Sequence, residues 1–262
     1  MKSPSDRTAA VMLNRVPKVT VEFWLIKLLA VTMGETAADY LAVNLGLGLA
    51  VTSWIMCAIL AGALVLQFAQ KKYVPWAYWL AVVLISIVGT LVTDNMVDNF
   101  DVPLRTSTIF FAFALAVTFA AWYGVEKTLS IHTIFTARRA VFYWIAILFT
   151  FSLGTASGDW VAEEQGFGYF ETGLIFGAVI AAIAVAYYVF KLNAILAFWL
   201  AYIFTRPLGA SFGDLLSQPM KYGGLGFGTI VTSLLFLGCI VALVAYMTYN
   251  HVAEPARAKG QA

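Results

Sequence analysis

Charge is what this sequence has least of. Only 11% of its 262 residues are Asp, Glu, Lys or Arg, against 61% hydrophobic. A soluble domain carries roughly twice that share of charge. So little charge cannot cover a soluble particle, and so much apolar content excludes a disordered chain. With 16 basic and 14 acidic residues, no basic face exists to neutralise nucleic-acid phosphates. Cysteine and histidine are nearly missing too. Cys57 and Cys239 stand alone inside apolar runs, with no CxxC or Cys/His cluster. His132 and His251 fall in polar segments, which argues against haem or a histidine-rich metal site. P-loop, dinucleotide, Gly-x-Ser-x-Gly and His-Glu-x-x-His motifs are all absent. An enzyme would lack a nucleophile–base pair. Any transport would be passive or driven by an ion gradient.

What the sequence has is long apolar runs. Eight of them reach the roughly 20 residues that a bilayer core requires: 21–41, 47–69, 75–97, 106–126, 139–161, 172–190, 193–216 and 228–249. They are continuous rather than alternating, which excludes a β-barrel. The expected fold is all-α: a polytopic membrane protein with eight transmembrane helices. One membrane domain, 21–250, would lie between tails 1–20 and 251–262. The first 20 residues are mixed and polar and do not read as a secretory signal.

The few charges are sorted by side. Lys71, Lys72, Lys127, Arg138, Arg139 and Lys191 fall in loops on the side of both termini, together with Lys2, Arg7, Arg15, Lys18, Arg257 and Lys259. Basic residues stay cytoplasmic, so both termini are expected inside. Ten of the 14 acids gather at the other side, making an electronegative outer mouth that attracts cations.

A repeat underlies this pattern. Trp24, Trp79, Trp144 and Trp199 each stand ten residues before Gly34, Gly89, Gly154 and Gly209. Each Gly stands five before Asp39, Asp94, Asp159 and Asp214. The steps of 55, 65 and 55 residues indicate two nested duplications. The units run at about 21–72, 73–127, 138–191 and 193–250. Each holds two spans, so successive units enter the membrane in the same direction and form parallel repeats. A Gly-x-Gly follows the Asp in the first, third and, displaced, fourth units. Asp98, Asp101 and Pro103 replace it in the second.

Four tandem two-span units, each with its Trp, resemble a family of bacterial membrane proteins built from a repeat of unknown function. The likeness covers about residues 20–250. It implies an architecture and a bacterial inner-membrane location, and no established chemistry.

Function must then be read from the residues. From Trp to Asp is 15 residues, about 22 Å of helix. With the Trp in the inner interfacial belt, the Asp lies near the outer surface. Intramembrane acids mark functional sites by default. Glu35, Asp39, Asp94, Asp159 and Asp214 are therefore the expected ion-binding groups, with Lys27 and Arg206 as internal counter-charges. Thr36, Thr90, Thr155, Ser157 and Ser211 would add oxygens, and the repeat glycines would let helices approach or break. An oxygen-rich set suits Mg, Ca or Mn, so a bound divalent cation is the metal reading. The leading expectation is a transporter or channel-like protein for a cation, in contact with the bilayer and able to form homo-oligomers. The alternative is a membrane scaffold in which the repeats serve assembly and each Asp caps the next helix of its unit. A partial likeness to the Gly-x-Gly-Asp of intramembrane aspartyl proteases fails at Ser211.

Overall fold

A computed structural model of the chain describes residues 14–259, and Lys2 and Arg7 lie outside them. The side chains of His251, Arg257 and Lys259 are likewise outside the described set. The described residues form eight α-helices and no strands: α1 Val21–Asp39, α2 Leu49–Ala69, α3 Pro75–Asp94, α4 Leu104–Glu126, α5 Ala137–Asp159, α6 Gly168–Tyr188, α7 Ala194–Ser217 and α8 Thr229–Lys259. Seven of them are long and apolar enough to cross a membrane. The exception is α1, which has the length but carries Glu22, Lys27, Glu35 and Asp39. The protein is an all-helical membrane protein with an internal repeat.

The odd helices start on local signals. Thr20 accepts from the Phe23 amide, Thr136 from the Arg139 amide, and Asn193 from the Ile195 and Leu196 amides. Pro75 opens α3, where its missing N–H costs nothing.

Packing follows a rule that the linear repeat hides. The odd helices close a ring, α1 on α3, α3 on α5, α5 on α7 and α7 on α1. Each even helix then packs on the odd helix of the following unit: α2 on α3, α4 on α5, α6 on α7, and α8 back on α1. The two helices of one unit scarcely touch. In the apolar cores of α3, α5 and α7, 56–67% of residues are buried, against 17–22% in the even helices. The odd helices are thus the core, and the even helices are its lipid-facing jacket.

The repeat glycines make the ring close. A Cβ at Gly34 would meet Ser86, at Gly89 Phe151, at Gly154 Arg206 and at Gly209 Val31. Each partner stands three residues before the glycine of the next unit, and the fourth joint returns to the first. One notch therefore recurs four times around the ring. Thr32 donates to the Gly209 carbonyl and Ser152 to the Gly89 carbonyl across two of these joints.

Beyond the Asp, three units leave the α-helix by the same route. Single π-helical turns at Tyr40–Asn44, Asn95–Asn99 and Trp160–Glu164 follow Asp39, Asp94 and Asp159. The chain then needs a left-handed residue: Gly46 (φ 69°), Gly166 (φ 74°) and, after a longer loop, Gly226 (φ 76°) supply it. Unit two has Asp101 at φ 50° in the same place. Asp101→Gly is therefore expected to raise stability, by up to about 1 kcal/mol, by relieving the Cβ clash. A denaturant titration in detergent that shows lower stability would refute it.

Candidate functional site

Steps of four residues along each odd helix, from eleven before the repeat Gly to five after it, trace one stripe. In α1 it reads Phe23, Lys27, Val31, Glu35, Asp39; in α3 Tyr78, Val82, Ser86, Thr90, Asp94. In α5 it reads Tyr143, Ile147, Phe151, Thr155, Asp159; in α7 Phe198, Tyr202, Arg206, Ala210, Asp214. All of these are buried except Asp39, Asp94 and Asp159, which are half-buried. The four stripes meet in layers along the bundle axis.

The first layer is aromatic. Each of its rings packs on the repeat Trp of the next unit: Phe23 on Trp79 at 5.6 Å, Tyr78 on Trp144 at 5.5 Å, Tyr143 on Trp199 at 6.2 Å, Phe198 on Trp24 at 5.7 Å. This closed ring of eight aromatics is what the recurring Trp builds. Expectation placed those Trp side chains in an interfacial belt; Trp79, Trp144 and Trp199 are instead buried in the bundle, and only Trp24 is half-buried. The Tyr78 and Tyr143 hydroxyls hydrogen-bond to each other at 2.6 Å.

In the next layer Lys27 donates to the Tyr202 carbonyl at 2.8 Å and to the Thr205 hydroxyl. Its ammonium lies 4.0 Å from the Tyr202 ring centre and 5.5 Å from that of Phe151, a cation–π arrangement. Lys27 does not pair with a carboxylate, contrary to expectation. Glu35 is eight residues further along α1, about 12 Å, beyond reach of a lysine that points across the bundle.

Arg206 is the hub. Its guanidinium is fully buried and bonds to Glu35 at 2.8 Å, to Thr155 at 2.8 Å and to Thr90. Thr90 also donates to Glu35 at 3.2 Å. Glu35, Thr90 and Thr155 each directly follow a repeat Gly, so one side chain of α7 binds the same position in the three other units. The fourth such position is Ala210, which leaves room for this plug. Arg206 therefore pairs across the ring with Glu35, rather than along its own helix with Asp214.

The last layer is the Asp ring. Each Asp lies in the field of Glu35, and the neighbouring pairs Asp39–Asp94, Asp94–Asp159, Asp159–Asp214 and Asp214–Asp39 all interact electrostatically. Asp39 accepts from Gln218 at 3.0 Å. These carboxylates do not cap α2, α4 or α6. The residues before α2, α4 and α6 are Gly48, Pro103 and Phe167, none with a side-chain cap bond. Among the described residues, no group of three or more His, Cys, Asp or Glu is close enough to hold a metal ion.

Three of the expected oxygens lie elsewhere. Thr36 bonds Ser233 of α8 at 2.7 Å, while Ser157 and Ser211 donate back to the Gly154 and Pro207 carbonyls of their own helices. Tyr78 and Tyr143 are site residues that the Trp–Gly–Asp repeat does not mark. The signal was in the sequence: every repeat Trp is preceded by Phe or Tyr, in the pairs Phe23-Trp24, Tyr78-Trp79, Tyr143-Trp144 and Phe198-Trp199.

No curated protein and no solved structure matches the chain. A family model, Repeat of Unknown Function (DUF347), matches it four times, at residues 23–73, 77–128, 142–193 and 197–252. These matches span most of the sequence and coincide with the four structural units, so the chain belongs to the DUF347 repeat family and is built from four copies of its repeat.

Proposed function

We propose that this protein is a bacterial inner-membrane transporter or channel-like protein that moves a small cation along the axis of its four odd helices. All eight helices span the bilayer in this reading, the four units are parallel, and both termini are cytoplasmic. The basic loops at Lys71, Lys72, Lys127, Arg138 and Lys191 support that orientation. The observation that carries the function is the Glu35–Arg206 pair, tied to Thr90 and Thr155 beneath a ring of four Asp. A buried ion pair is costly to assemble and is weak support for stability. Its position at the centre of all four units is that of a gate. The acidic rim collects cations on the outer side, and a cation that neutralises Glu35 loosens the hold on Arg206. A proton or monovalent ion suits this better than a stripped divalent metal, which needs several oxygens within 2.0–2.6 Å, as a rough range.

The test is flux into liposomes holding the purified protein, with protons, alkali ions, magnesium and manganese measured in turn. At least one cation is expected to enter faster than into protein-free vesicles. Asp94→Asn with Asp159→Asn is expected to slow it about tenfold by weakening the rim's field. Flux equal to empty vesicles for every ion would overturn the proposal and favour the scaffold reading.

A further inference from the structure

We propose that the species carried is a proton, passed along a column of side chains rather than through a pore. The inference rests on the cation reading above and narrows it. Each layer of the axis contains at least one group able to accept or donate a proton. The outer layer has the four Asp, and the next has Glu35, Thr90 and Thr155. Below them stands Ser86, whose hydroxyl is fully buried without a hydrogen-bond partner. Then come Lys27 and the hydroxyl of Tyr202, also buried and unpartnered. The Tyr78–Tyr143 hydroxyl pair follows, and Tyr73, in the loop before α3, packs on Tyr78 at 5.8 Å between ring centres.

The inner half of this column is lined mostly by rings, and its few oxygens are spread along it one or two to a layer. Phe23, Phe151, Tyr202 and Phe198 close around it, all buried. A metal or alkali ion would have to shed its water there and gain little in return. A proton needs only hydroxyl and amine groups in succession. Closing the layer requires aromatic bulk alone, and Phe23 and Phe198 supply it without a hydroxyl. Tyr78 and Tyr143 occupy the equivalent positions and add two hydroxyls that meet across the α3–α5 joint. Lys27 has no carboxylate partner among the described residues, as suits a group that gains and loses a proton.

The transfer balances. An outer Asp takes one proton from water and passes it to Glu35. The Lys27 ammonium gives one proton to the Tyr202 oxygen as that hydroxyl releases its own toward Tyr78 and Tyr143. The Lys27 amine so formed takes the proton of the Ser86 hydroxyl as the Ser86 oxygen takes that of Glu35, which restores every group. One proton leaves on the inner side, and only O–H and N–H bonds are exchanged. Arg206 keeps its protons throughout and supplies the field that separates Glu35 from Lys27.

The test uses full-length protein in liposomes with a trapped pH-sensitive dye and an imposed potassium diffusion potential. Wild-type vesicles are expected to take up protons well above protein-free vesicles. Tyr202→Phe, and Tyr78→Phe with Tyr143→Phe, are each expected to slow uptake at least about tenfold, with unchanged melting in detergent, because a relay fails when one hydroxyl is missing. Lys27→Met is expected to abolish it. Proton uptake at the protein-free level, with another cation entering, would overturn the proton proposal and leave the transport reading standing. Wild-type proton rates in the Tyr→Phe variants would overturn the relay. No flux of any ion would overturn both.

Discussion

Arg206→Met is expected to cost about 3–5 kcal/mol of stability, the usual penalty for removing one member of a buried ion pair. Glu35 would lose its buried salt bridge, and the Thr90 and Thr155 hydroxyls would lose their charged donor. Methionine fills much of the space, so the loss measures charge more than cavity. Combining it with Glu35→Met is expected to restore most of the stability, because replacing both ions by apolar groups is often neutral. Arg206→Lys is expected to fall between, since an ammonium cannot reproduce the planar fork that spans three acceptors on three helices. Equilibrium unfolding in mixed micelles of the two singles and the double completes the cycle. Arg206→Met as stable as wild type would show that the hub holds nothing together.

Gly34→Ala is expected to destabilise by about 1–3 kcal/mol, the range for overpacking a filled core. An added Cβ would overlap the side chain of Ser86 and lie 3.0 Å from its backbone carbon. Relief requires α1 and α3 to separate, because backbone cannot rotate away. Gly89→Ala is expected to behave alike, with Phe151 Cβ at 2.7 Å and the Ser152 nitrogen at 3.3 Å. Gly62→Ala and Gly124→Ala are the controls. They lie on jacket helices with nothing within 4 Å of the new atom, and are expected to be neutral or to gain up to about 1 kcal/mol of helix propensity. Equal melting of core and jacket variants would contradict the notch.

The repeat of Trp, Gly and Asp was legible in the sequence because each marks an interaction made four times. So were the helices, seven of them as apolar runs long enough to have one solution in a bilayer. Glu35 and Arg206 were legible as buried charges, but their pairing was not. Sequence spacing shows which groups share a face of one helix, and it places Arg206 with Asp214 and Lys27 with Glu35. The observed partners come from the ring, where α7 meets α1, and nothing local specifies that joint. Thr36 departs from expectation for the same reason. It is one residue from Glu35, a 100° turn that aims it at α8 instead of the axis. The tyrosines are hard to read from sequence because aromatics in a membrane protein are equally at home at its interfaces.

The handover of each even helix to the following unit also governs the order of synthesis. Three of the four packed pairs, α2 with α3, α4 with α5 and α6 with α7, are neighbours along the chain and can form as soon as both members leave the ribosome. The fourth joins α1 to α8, seven helices later. Until α8 emerges, α1 waits with its Thr36 face uncovered, although α7 already meets its charged stripe. The ring of odd helices can thus close one helix before its jacket does, and α8 completes the jacket.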